Sequence, residues 1–321
     1  MEKKICLCCN KLLENATEIE LLAQWHKKCI KKFFGTNIMP QLHLDEAALE
    51  QLVTDTVAKG FTVAGVQKKL SLHLSDDSDN RLTLVGYPTG YILKPQSKDF
   101  EQLPELEHLV MTMADAAGIK TVPHALIKTD EKLAYITKRI DRISGSTKLL
   151  AMEDFCQLSG RLTEEKYKSS YEQCAKVIKF SFRSGLDMAE LFYRLIFCFV
   201  TGNSDMHLKN FSLIEDAPGS RRFELSKAYD LLAVNVVMPE DKEEFALTLN
   251  SKKANIKRKD FFIFADYCKI PQPAAEKMLK KICGMKEKFL ALAGESILKP
   301  DLKIRFIKLI EERMERLENQ G

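Results

Sequence analysis

Residues 187–200, DMAELFYRLIFCFV, constrain this chain more than any other stretch. Met188, Leu191, Phe192, Leu195, Ile196, Phe199 and Val200 recur at helical spacing, and most positions between them are apolar too. A helix that is hydrophobic nearly all round has to be buried at the centre of a helical body. Directly after it comes Gly202 to Ser212, GNSDMHLKNFS, which crowds an acid, two amides, a lysine, a histidine and two hydroxyls into eleven positions. Where a fold would normally go on burying carbon, the chain holds polar groups on purpose. Asp205, Asn210 five residues later, then a strand-like run and Asp230, follow the order that places a phosphoryl-transfer base and two magnesium ligands.

The length of 321 residues allows one large two-lobed unit, or two domains and a small extra module. Composition is that of an ordinary soluble protein, 45% apolar and 29% charged. The net charge of +4, from 49 basic and 45 acidic residues, is too even to require nucleic acid as the main ligand. No apolar run approaches the roughly 20 residues that span a bilayer, and MEKKICLCCNK lacks a signal-peptide core, so a cytoplasmic location without membrane contact is expected.

In a reducing compartment the nine cysteines point to metal binding, catalysis or burial rather than disulfides. Cys6 and Cys9 form a C-x2-C pair, and His26 and Cys29 an H-x2-C pair after sixteen intervening residues, a plausible tetrahedral zinc set in which Cys8 is the spare thiol. Zinc would supply folding energy that so short a segment cannot draw from a core. Cys156, Cys174, Cys198, Cys268 and Cys283 sit among apolar residues and read as small buried side chains.

The expected organisation is a zinc knuckle over residues 1–36, a mixed β lobe over 37–140 and a helical lobe over 141–321. A connecting helix is expected from Leu42 to Ala58. Residues 61–74 alternate as a strand and pair as a hairpin with RLTLV across SDDSDN; YILKP then ends a third strand at Lys94. PELEHLVMTMADAA reads as a helix closed by Gly118, and HALIK and KLAYITK as two further strands. Three strands with a lysine on the third, a helix bearing acids and two more strands are the order of a kinase N-lobe. Lys94 would grip nucleotide phosphates and Glu107 would steady it. The phosphate loop is expected at VAGVQKK, where Gly65, Val66, Gln67 and Lys68 offer backbone amides and a cation in place of a full glycine-rich lid. From Lys148 onward the pattern turns helical, starting with MEDFCQLSGRL; FSLIE and RRFELSKA make a hairpin, and LKIRFIKLIEERMERL a packed terminal helix.

The motifs VAGVQKKLSL, YILKP, PELEH, RIDR, MEDFCQL, GNSDMHLKNFS and AYDLL, in that order over roughly residues 60–240, resemble the HipA-type serine/threonine kinases of bacterial toxin-antitoxin modules. The resemblance implies an α+β, two-lobed protein-kinase-like fold. It makes Asp205 the catalytic aspartate, with Asn210 and Asp230 as magnesium ligands beside ATP, Lys209 neutralising charge on the transferring group, and His207 as the family histidine. It puts the adenine-contacting hinge at Ile136 to Arg139, including Lys138. Thr62 stands near the family's regulatory autophosphorylation position, usually a serine. Leu106 departs from the asparagine of PENE-like members. A subgroup similar to this chain begins with a C-x2-C and H-x2-C knuckle and lacks the family's N-terminal subdomain, which related operons encode as a small separate protein. Further implications are a protein substrate such as an aminoacyl-tRNA synthetase or translation factor, growth arrest, a helix-turn-helix antitoxin, and contact with DNA only through that antitoxin. Two rivals are a small-molecule kinase of the aminoglycoside or choline type, and a non-catalytic module that binds antitoxin and operator DNA.

Overall fold

A computed structural model describes residues 4–42, 69–74, 81–83, 90–129, 132–143, 146 and 148–319. The expected helix to Ala58, the strand before Lys69, the phosphate-loop residues Gly65, Val66, Gln67 and Lys68, and Thr62 lie outside the described residues. The chain forms two compact units, Met1–His108 with Val122–Ile140, and Leu109–Thr121 with Asp141–Gly321.

The first unit is built on an antiparallel five-stranded sheet of β1 (Leu70–Leu74), β2 (Leu82–Thr83), β3 (Tyr91–Lys94), β4 (His124–Lys128) and β5 (Leu133–Lys138), in the order β2-β1-β3-β5-β4. The register pairs Lys94 with Tyr135 and Leu93 with Ile136. Ahead of the sheet, α1 (Glu18–Ala23) is closed by a capping box in which Thr17 and Glu20 satisfy each other's backbone N–H groups. The Glu20 carboxylate also accepts from Lys27 N at 2.8 Å, tying α1 to the start of α2 (Lys27–Phe34). This N-terminal segment is fastened to β4: Leu126 N donates to Leu7 O at 2.8 Å, and Trp25 Nε1 donates to Leu126 O at 3.0 Å. Trp25, Phe33, Phe34 and Tyr91 pack in one buried cluster with centroids 4.9 to 5.9 Å apart, each such pair contributing about 0.5 to 1.5 kcal/mol beyond its burial. The helix α3 (Leu103–Ala117) begins in this unit, buries Leu103, Leu106, Leu109, Val110 and Met113, and ends at Gly118 with φ +84°, as the sequence predicts.

The second unit is helical around α6 (Ser184–Val200), where every residue from Leu191 to Val200 is buried. Phe192, Phe197 and Phe199 meet Phe245, Phe261, Phe264 and Phe289 from the segments that follow. The terminal helix (Pro300–Glu318) buries Leu302, Phe306, Ile310, Met314 and Leu317, as its amphipathic pattern requires. Cys156, Cys174, Cys198, Cys268 and Cys283 are all buried, in keeping with their apolar surroundings in sequence.

One element departs from the sequence pattern. MED is not the start of a helix: Met152–Asp154 is a strand, β6, which pairs antiparallel with β7 (Ser212–Glu215), itself paired with β8 (Phe223–Leu225). The following α4 (Phe155–Leu158) is a single turn whose N-cap is Asp154, its side chain accepting from Gln157 N at 2.9 Å. Long-range pairing with β7 claims the backbone that local propensity would have given to a helix.

Candidate active site

In the first unit, Lys94 ends β3 and Glu107 lies on the first half of α3. Lys94 Nζ and Glu107 Oε1 are 2.6 Å apart, with the residues only 3% and 0% exposed. The ammonium lies 5.3 Å from the Tyr135 ring centroid on the neighbouring strand, a second source of attraction. The order of elements in the sequence already pairs the two; a strand followed by a returning helix closes the thirteen residues between them. Beside it, Gln96 Nε2 donates to Glu105 at 2.7 and 2.9 Å, and burial pushes the Glu105 carboxyl up. Lys138 ends β5, its N–H donating to Pro123 O at 3.0 Å, while Arg139 N donates to Gly90 O at 2.9 Å, so both amides are used within the unit.

In the second unit, GNSDMHLKNFS leaves α6 through Gly202 at φ +68°, where a Cβ would come within 2.6 Å of Leu309 Cδ2. Glycine takes this backbone without strain, whereas any other residue would add left-handed strain and push on the Leu309 side chain. The loop then folds on itself. Asp205 N donates to Asn203 Oδ1 at 3.2 Å, His207 N to Asp205 O at 2.8 Å, and Asn210 N to His207 O at 2.9 Å. Met206 and Leu208 point into the core, while the Asp205 side chain is 43% exposed. Asn210 Nδ2 donates to Asp205 O at 2.9 Å, which spends the amide nitrogen and leaves Oδ1 as a hard oxygen donor. His207 is buried, with Nε2 at 3.9 Å from Asp205 Oδ2. Asp230 sits at φ +59°, a strained backbone for a residue with a Cβ, just after Tyr229, whose hydroxyl bonds Ser212 Oγ at 2.6 Å and Lys209 O at 3.1 Å.

Three neighbours of this loop are not apparent from the motif. Lys209 Nζ is held at 2.7 Å by Asp154 Oδ2, a residue singled out by the strand β6. The Tyr171 hydroxyl donates to Met206 O at 3.1 Å, anchoring the loop from α5 (Tyr171–Ile178). The Tyr167 hydroxyl donates to Asp205 Oδ1 at 2.6 Å. Burial, then the charge of Asp205 and the hydrogen bond to it, then Asp230, push the Tyr167 phenol up, so both carboxylates of the expected set act on one group. The pairing of YKSSY with the GNSD loop carries no local signal, since 38 residues separate Tyr167 from Asp205.

The N-terminal knuckle is a second candidate site. Cys6, Cys9, His26 and Cys29 bring their ligand atoms within 4.8 Å of one another, close enough for one ion to gather all four. Cys9 Sγ lies 3.4 Å from His26 Nδ1, while His26 Nε2 lies 3.2 Å from Leu12 O. A ring nitrogen committed to a carbonyl leaves the other for a metal, the usual outer partner of a zinc histidine. Burial pushes the Cys6 and Cys29 thiols up, a cost that a bound dication would reverse. Cys8, the spare thiol in sequence, stays out of the set, and its own thiol is pushed up to about 12 by burial. The turn is closed by Asn10 at φ +57°, whose N–H donates to Cys6 O at 2.9 Å.

The model of the family described as HipA-like C-terminal domain matches residues 61–289. The chain is 35% identical over 188 residues to the candidate kinase Y4dM of Sinorhizobium fredii, covering 54% of this chain and 45% of that protein. It is 31% identical over 226 residues to the candidate kinase Y4mE of the same organism, covering 65% and 53%. A candidate kinase of Haemophilus influenzae is 30% identical over 193 residues, covering 55% and 54%. The chain thus spans about half the length of the curated relatives it matches. Among solved structures, the toxin-antitoxin complex of Shewanella oneidensis HipA and HipB with operator DNA matches with TM-score 0.65 at 17% identity, over 84% of this chain and 73% of that one. The Helicobacter pylori proinflammatory kinase CtkA matches with TM-score 0.54 at 15% identity, over 74% and 88%. At these identities the likeness establishes the fold, α+β and protein-kinase-like.

Proposed function

The chain belongs to the HipA-like C-terminal domain family, and from that premise we propose that it is an ATP- and magnesium-dependent kinase acting on a serine or threonine of a protein. The observation that carries the reading is the Lys94–Glu107 pair. A buried ion pair adds little net stability and is often replaceable by apolar residues, so a fold has no need of one there. A phosphate-gripping lysine does need a carboxylate to hold it in place. The donors of the second unit fit the same chemistry: Asn210 and Asp230 offer hard oxygens of the kind magnesium takes.

ATP with magnesium would supply the phosphoryl group and neutralise its charge. Lys94, steadied by Glu107, would bind the phosphates, and Asn210 and Asp230 would hold the magnesium. Asp205 would orient the acceptor hydroxyl and take its proton. Lys209, its ammonium held by Asp154, would neutralise charge on the transferring group, and buried His207 would keep the loop in shape. The phosphate loop at Gly65, Val66, Gln67 and Lys68, the hinge around Lys138 and the switch at Thr62 complete the proposal from sequence. Since the Lys138 and Arg139 amides are used inside the sheet, the hinge would meet adenine through other groups.

Cys6, Cys9, His26 and Cys29 would hold one structural zinc. The substrate class is that of aminoacyl-tRNA synthetases and other translation factors, with growth arrest as the outcome. A helix-turn-helix antitoxin as partner, with DNA reached through it, draws support from the HipA–HipB–operator complex. A small protein equivalent to the family's N-terminal subdomain is a second proposed partner. Among the described residues no helix is long and apolar enough to cross a membrane.

The test is incubation of the purified chain with ATP and magnesium, alone and with a cell lysate, beside Asp205→Ala. A phosphoryl mass gain on this chain or on a lysate protein, absent with Asp205→Ala, is expected. No transfer to any protein by the wild type would overturn the reading.

A further inference from the structure

The side chain proposed as the base does not stand open. The Tyr167 hydroxyl donates to Asp205 Oδ1 at 2.6 Å, the length of a charge-assisted O–H···O bond. Its ring stands edge-on to His207, with centroids 5.0 Å apart at 81°, and Lys166 Nζ lies 4.9 Å from the ring centroid. The backbone around it is strapped to the loop at two points, Leu208 N to Lys166 O at 3.3 Å and the Tyr171 hydroxyl to Met206 O. Yet Tyr167 is 40% exposed and the Asp205 side chain 43%, so this bond lies on the accessible side of the loop. The part-buried Asn203 contact holds the Asp205 backbone, at its N–H, whereas Tyr167 holds the carboxylate itself.

A serine or threonine acceptor must present the same group, an O–H, to the same carboxylate. We propose that Tyr167 occupies the acceptor position on Asp205, and that a substrate hydroxyl displaces it while water does not. The proposal rests on the kinase reading above and names the residue that sets the acceptor specificity of that site. A protein acceptor brings binding energy from contacts remote from its hydroxyl, and this can offset loss of the Tyr167–Asp205 bond. Water brings no remote contacts and must compete with a tethered phenol of high effective concentration. In productive transfer the acceptor oxygen bonds to the γ-phosphorus, the bond to the β,γ-bridging oxygen breaks, ADP leaves and the hydroxyl proton passes to Asp205. With water in the acceptor position the same exchange gives ADP and inorganic phosphate, the loss that Tyr167 prevents.

Tyr167→Phe keeps the ring against His207 and beside Lys166 and removes only the oxygen. Phosphate release from magnesium-ATP without any acceptor should rise about tenfold, the low end for a hydrogen bond to a charged group. With N-acetylserine amide as a hydroxyl probe, the KM for the probe should fall while kcat changes little. Release that is unchanged or lower in Tyr167→Phe overturns the proposal, because Tyr167 then supports the aspartate rather than filling its acceptor position. A readout independent of turnover is the 13C chemical shift of the Tyr167 Cζ, which carries the hydroxyl, expected to differ between the wild type and Asp205→Asn as donation to the carboxylate is lost. An unchanged shift overturns the occupancy itself. Failure of the kinase reading looks different: the Cζ shift moves, and neither protein transfers phosphate to probe or water.

Discussion

Lys94→Met tests the buried pair in the first unit directly. Methionine keeps the apolar stem beside Tyr135 and removes the charge, leaving the fully buried Glu107 carboxylate without its ammonium. At pH 7 the cheaper outcome for that carboxylate is to bind a proton. Moving a glutamate from its ordinary value near 4.3 to neutrality at pH 7 costs about 3.7 kcal/mol, within the about 3 to 5 kcal/mol expected for breaking a buried pair. In the variant the carboxyl titrates higher folded than unfolded, so the folded state loses stability as pH rises. The deficit should therefore shrink by about 1.4 kcal/mol per pH unit on acidification, to about 1 kcal/mol at pH 5. Trp25 is the single tryptophan of the chain, and it is buried in the same unit. Urea unfolding followed by its fluorescence at both pH values reads the effect. Lys94→Met/Glu107→Leu, which removes both charges, should regain most of the loss. A deficit absent at pH 7, or constant between pH 7 and 5, would refute the reasoning.

Other expectations follow from the same geometry. Trp25 neighbours His26, so stripping metal with a chelator should lower the Trp25 unfolding midpoint, with Cys29→Ser having the same effect and Cys8→Ser little; bound zinc measured after purification should approach one per chain. Asp230→Gly should relieve the φ +59° backbone, stabilising the second unit by up to about 1 kcal/mol in calorimetry while abolishing phosphotransfer. Glu215 accepts from the N–H groups of Arg221, Ala151 and Gly219, which hold its carboxyl below the usual range. Its contribution is present above the unfolded value near 4.3 and is lost as pH falls through the lower folded value, so Glu215→Gln should flatten the acid limb of a stability–pH curve.

Much of the candidate site was legible before any fold was known. Asp205 and Asn210 lie within one loop whose polarity contradicts the apolar helix before it, and strand period marked Lys94 as the end of β3. The Cys6, Cys9, His26 and Cys29 set followed from two short spacings that a single ion can join, while the geometry decided the place of Cys8. MED was misleading because its four-residue helix starts only at Phe155, after a strand that exists by pairing with β7.

Sequence by itself determined what depends on short covalent spacing and on hydrophobic period: the buried helix α6, the order of the elements, the loop that carries Asp205 and the Cys6, Cys9, His26 and Cys29 spacings. Tertiary structure decided the partners that no period encodes. Asp154 reached Lys209 across 55 residues, and Tyr167 reached Asp205 across 38. Such pairs form only once the core has fixed the backbones that carry them, because the entropy of closing loops of that length is met by burial elsewhere and not by the contact itself.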